Sequence, residues 1–134
     1  MLHKELVRKA TAYVEGLFRA KKPEWVKFHT FRHARAVAKA SQEIGTACRL
    51  TEEDLETVTL AAWFHDTGYL EGIDGHEEKS VEIAAAFLRD NGYPEEKIAQ
   101  IAGCIRATHL PQNPKNLLEQ VRAAKKWLIQ KTTK

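Results

Sequence analysis

Three of the histidines fall where a soluble protein rarely puts a titratable group. His33 precedes Val37 and Ile44 on one helical stripe, His65 follows Leu55, Val58 and Ala62 on another, and His109 comes in line after Ile98, Ile101 and Ile105. Three segments thus carry imidazoles toward an interior, each at or near a helix end. A neutral imidazole away from water needs partners for both ring nitrogens. A divalent ion held by His33, His65 and the adjoining Asp66 would meet several of those needs at once. Imidazole nitrogen with carboxylate oxygen suits manganese, iron, cobalt, nickel, magnesium or zinc, so the donor set leaves the metal's identity open.

Neighbouring residues on a regular helix point about 100° apart. For His65 and Asp66 to reach one ion, the pair has to straddle a helix end, and Gly68 is the expected stop.

Apolar residues recur every three or four positions almost throughout, and no five-residue stretch alternates in the β manner. The spacing predicts an all-α fold, a compact bundle of about six helices. The first spans about 2–19, with Leu6, Ala10, Tyr13, Val14 and Leu17 inward and Pro23 barring its continuation. A second covers about 31–45 with Ala34, Val37, Ala38, Ser41 and Ile44 inside. Thr51 reads as the cap of a third, ahead of Glu52, Glu53 and Asp54 at the positive end of the dipole. Further helices are expected over 76–90, over 95–108 and from beyond Pro114 to about 129. Trp25 and Trp63 read as core, and Trp127 as packed on the first helix or on a partner subunit.

A chain of 134 residues suits one domain, here 1–134, with enough length to bury a substantial core. Its 43% hydrophobic and 29% charged residues are far from disordered or membrane composition. The first ten residues intersperse Lys4, Glu5, Arg8 and Lys9 with apolar ones, unlike a secretion signal, and no run approaches the ~20 apolar residues of a membrane span. Cys48 and Cys104 lack metal or disulfide spacing, so reduced, buried thiols in a cytoplasm are expected. The net charge of +3 suits an anionic ligand, while the scatter of Lys and Arg argues against nucleic acid.

Four ordered blocks, "FHTFRHARAVAKASQEIG", "LAAWFHDTGYL", "GHEEKSVEIAAAFL" and "IRATHLPQNPKNLLEQ", together resemble the HD-domain superfamily of metal-dependent phosphohydrolases. The resemblance implies an all-helical fold in which His33, His65 and Asp66 ligate a divalent metal. It implies hydrolysis of a phosphate ester or anhydride of a small phosphorylated compound, a nucleotide being the expected class. The ion would activate water and offset phosphoryl charge, with Asp66 also orienting that water. His76 and His109 resemble the extra histidines that some members use for a second metal or for phosphate. His29, one turn before His33, resembles a proton donor to the leaving oxygen, although Thr30 stands where the family pattern has asparagine. Arg32, Lys79, Arg106 and Lys115 flank these histidines and are candidates for holding phosphate.

One departure opens an alternative. The family's last aspartate ligand is expected at about 124–126, but no Asp or Glu follows Glu119, and Ala124 takes the inward position. A binding or regulatory domain that has lost turnover, or a chain shortened or altered at its C-terminal end, is therefore the competing reading. A homodimer is compatible with either.

Overall fold

The computed structural model describes residues 4–20, 31–72 and 74–107. Five α-helices and one 3₁₀ turn make up those residues, with no strand among them: α1 (Lys4–Ala20), α2 (Phe31–Ala47), α3 (Glu52–Phe64), the turn Thr67–Leu70, α4 (His76–Asp90) and α5 (Glu95–Arg106). The expected all-α class holds. The sixth expected helix, with Trp127, lies outside the described residues, as does Trp25.

The frame is organised around α3. Thr51 caps it as its sequence suggests, its hydroxyl accepting from the Asp54 amide at 3.1 Å. From Glu56 to Gly68 every residue is buried, so this segment has no solvent face and packs against α1, α2, α4 and α5. Its threonines are satisfied locally. Thr57 and Thr59 donate to the carbonyls of Glu53 and Leu55, four residues back, at 3.1 and 2.7 Å. The Glu56 carboxylate takes a hydrogen bond from Tyr93, whose phenol is pushed up first by burial and then by the charges of Glu56 and Glu53.

α1 joins the core through Ala10, Val14 and Phe18. Tyr13, expected inward, is 41% exposed and covers the rim instead, stacking on Phe87 with centroids 4.8 Å apart. On α2 the stripe Ala34, Val37, Ala38 and Ser41 is buried. That helix runs two residues past Gly45, because the stop is made further on. Arg49 adopts a left-handed conformation (φ 59°), the Leu50 amide donates to Gly45 O and the Arg49 amide to Thr46 O, both at 3.0 Å. Gly45 matters for packing: a Cβ there would lie 2.7 Å from Leu55 Cδ1. α4 ends through the same paired bonds, Tyr93 to Leu88 O and Gly92 to Arg89 O, with Gly92 at φ 73°.

Cys104 is buried as expected, but Cys48 is exposed, since it sits in the surface turn that closes α2. Neither forms a disulfide. None of the described helices is long and apolar enough to cross a membrane.

Candidate metal centre

His33 lies in the first turn of α2, one residue before buried Ala34, and its side chain is 32% exposed. His65 is the C-cap of α3, and Asp66 follows with φ −107° and ψ 2°. That departure from helical geometry swings Asp66 around, and both side chains come to one side. The pair straddles the helix end, as a shared ligand site demands.

The three side chains each offer one ligand atom, and these atoms all lie within 4.8 Å of one another. This is close to the span one cation bridges, about twice a ligand distance of 2.0–2.2 Å. Asp66 Oδ2 is 3.2 Å from His65 Nε2 and 3.6 Å from His33 Nε2. His65 and Asp66 are almost wholly buried.

The hydrogen bond behind His65 tests whether a cation fits. Its Nδ1 is 2.6 Å from the Ala62 carbonyl oxygen. A carbonyl only accepts, so Nδ1 carries the proton, and in the neutral ring Nε2 turns its lone pair toward Asp66. A bare nitrogen and a carboxylate oxygen at 3.2 Å call for positive charge between them. A metal ion supplies it, as would a second proton on the ring, and the donor set fits the metal.

The turn carrying Asp66 is fastened to α4 by Ser80. This fully buried hydroxyl donates to His65 O at 2.9 Å and accepts from the Gly68 amide at 2.8 Å. Gly68 is not the left-handed helix stop its sequence suggests. It permits close approach, because a Cβ would run into the His76 carbonyl oxygen and lie 2.8 Å from both Ser80 N and Ser80 Oγ. Thr67 donates to Phe64 O at 2.8 Å and tightens the same turn. Sequence reasoning passed over Ser80. Its signal was a polar residue on the apolar stripe shared with Ala84, Phe87 and Leu88, the rule that singled out the histidines.

His76 opens α4 and is not among the three clustered residues. Its ring stacks on Tyr69 with centroids 3.8 Å apart, and its Nε2 is 3.3 Å from Glu77 Oε2. The Tyr69 phenol is pushed up by burial and by the charges of Asp66 and Glu77, which keeps it protonated. Of the cations that flank the histidines, Arg32 is exposed on α2, and Lys79 lies 3.9 Å from Glu71. Arg106 grips Glu78 through Nε and Nη2 at 2.7 and 3.0 Å, tying α5 to α4. His29, His109, Lys115 and positions 124–126 lie outside the described residues.

No curated protein matches the chain. Among solved structures, the fold is similar to a predicted HD superfamily hydrolase from an uncultured Thermotogales bacterium. The TM-score is 0.74 at 22% identity, over 90% of this chain and 66% of that one. This chain therefore spans just under two-thirds of that relative's length, and at such identity the likeness is one of fold. The HD domain family model matches residues 29–126, a segment that includes α2 through α5 and all three clustered residues. Most of the chain answers to that one pattern, and the histidine-aspartate doublet lies within it at the end of α3: the protein belongs to the HD-domain family.

Proposed function

We propose that the protein is a metal-dependent phosphohydrolase acting on a small phosphorylated compound, with nucleotides as the expected class. The observation that carries this reading is the convergence of His33, His65 and Asp66 within 4.8 Å, with the His65 ring held in one tautomer by Ala62 O at 2.6 Å. A divalent cation bound there supplies Lewis acidity that activates water and offsets phosphoryl charge.

The chain's own residues do the rest. His65 and Asp66 are buried at the end of α3, whereas partly exposed His33 is the member of the group that substrate would reach first. Tyr69, kept protonated, can offer a hydrogen bond to a bound ligand, and Arg32 and Lys79, close in sequence to His33 and His76, are the proposed cations for an anionic ligand. His76 and His109 keep the phosphate or second-metal roles, and His29 the role of proton donor to the leaving oxygen, that family membership suggests. A single domain over 1–134 and a cytoplasmic location are parts of the same reading, with neither nucleic acid nor membrane as partner, and a homodimer is compatible with it.

A second reading is favoured by one specific observation. Residues 120–126 of the family-matched segment contain no carboxylate, where a further aspartate ligand is expected. A metal-binding regulatory domain without turnover would tolerate that loss. Elemental analysis of protein purified without added metal, then a phosphatase and nucleotide panel with and without chelator, separates the two. Stoichiometric metal with chelator-sensitive turnover supports the hydrolase. Bound metal with no turnover supports the regulatory domain, and absence of metal refutes both.

A further inference from the structure

We infer that Ser80 is a positioning residue for the metal centre, one that sets metal affinity through the backbone of the His65–Asp66 turn. The inference rests on the metal reading of His33, His65 and Asp66.

Ser80 is fully buried in the second turn of α4, twelve to fifteen residues from the groups it contacts. Its one hydroxyl touches both ends of the tetrapeptide 65–68. It donates its proton to the carbonyl of His65 and accepts the amide proton of Gly68. Between these two points lies Asp66, whose φ of −107° and ψ of 2° carry its carboxylate to the His65 ring. A rotation of that peptide would swing the carboxylate away from the two imidazoles. The bonds from Thr67 to Phe64 O and from the Tyr69 amide to Asp66 O shape the turn from within, but both lie inside the segment 64–69, whereas Ser80 ties it to α4. The clamp is also made without slack. Gly68 lies so close to α4 that a Cβ would meet the backbone of His76 and Ser80, so the turn cannot move toward the helix, and the hydroxyl prevents it from moving away.

Loss of a hydrogen-bonding partner that orients ligands weakens metal binding by about 10–100-fold in other sites. The test is a Co²⁺ titration of the full chain followed by visible absorption, well below the unfolding temperature. We compare wild type, Ser80→Ala, Ser80→Thr and Leu88→Val. Leu88 is buried on α4, two turns further along at about 12 Å, so its truncation loosens the core without touching the clamp.

The expected result is a Kd raised about 10–100-fold in Ser80→Ala, recovery in Ser80→Thr, which retains a hydroxyl, and an unchanged Kd in Leu88→Val. Should Ser80→Ala not fold, Ser80→Cys carries the same comparison, its thiol being a weak hydrogen-bonding group of similar volume. A Ser80→Ala Kd within about twofold of wild type overturns the inference alone, as does a Leu88→Val Kd that moves equally. Absence of a Co²⁺ spectrum in the wild type overturns the metal reading and this inference with it.

Discussion

His65 Nε2 and Asp66 Oδ2 stand 3.2 Å apart, although the two residues are consecutive and a regular helix would direct them about 100° from each other. The helix stops between them, and the Asp66 backbone turns back toward the ring that precedes it. His33 completes the group from a separate helix, so ligand removal has different consequences at each position.

His33→Ala removes a proposed ligand that is 32% exposed and leaves the core intact. We expect metal content to fall well below one ion per chain, with a metal-free unfolding midpoint within about 1 kcal/mol of wild type. His65→Ala should lose metal and also unfold more easily, by about 1–3 kcal/mol, because it empties buried volume and strips Ala62 O of its partner. Elemental analysis paired with urea unfolding checks both.

Gly68→Ala should destabilise the fold by about 1–3 kcal/mol. The added methyl meets the carbonyl oxygen of His76 and the amide nitrogen of Ser80, and no rotamer change relieves a clash with backbone. Unfolding in urea at wild-type stability would show that α4 can draw back from the turn.

Arg49→Gly is expected to stabilise the protein. A left-handed conformation costs a side-chain-bearing residue about 1–2 kcal/mol, against about 0.5–1 kcal/mol of extra chain entropy for glycine. The net gain is roughly 0.5–1 kcal/mol, and exposed Arg49 gives up little packing. A thermal melt that shifts downward would contradict this account of how α2 ends.

The Glu78–Arg106 pair makes stability depend on acid. Its hydrogen bonds from Arg106 hold the Glu78 carboxyl below its ordinary 4.5. A carboxyl depressed in the folded state contributes stability that is present above its unfolded value and is lost as pH falls through the folded one. Both side chains are more than half exposed, so the effect is below about 1 kcal/mol. Wild type and Glu78→Gln should differ above pH 4.5 and converge in stronger acid, as measured by urea midpoints.

Tyr93 gives the opposite sign at the other end of the scale. Burial, with Glu56 and Glu53 nearby, raises its phenol above the ordinary 10.0. That contribution is intact below the unfolded value and disappears as pH rises through the folded one. In an alkaline titration followed by phenolate absorbance, Tyr93→Phe should leave the early tyrosine ionisation unchanged and reduce only the late step.

Much of this was legible in residue spacing. Thr51 announced the start of α3, and the bounds of α4 follow from "GHEEKS" and "NGYP", where Gly92 must turn left-handed. His33 and His65 were visible because a polar group on an apolar stripe has to be satisfied. Other features depend on contacts that periodicity does not encode. α3 reads as one-sided in the sequence but is enclosed, because its threonines hide their hydroxyls against the preceding turn. Gly45, where the apolar spacing ended α2, is a packing notch, while Arg49, an unfavourable residue for the task, ends the helix. Cys48 followed the general tendency of thiols only until the turn put it at the surface.

The enclosure of α3 divides the molecule by how freely it can be changed. Positions 56–68 are hemmed in on every side, so an alteration there disturbs the proposed metal centre and the scaffold together. Positions 32 and 35, on the helix that carries His33, and 71, just after the turn that follows Asp66, are exposed. New ligand preferences can arise at those positions while the inner helix stays constant, and a library built to retune selectivity belongs there.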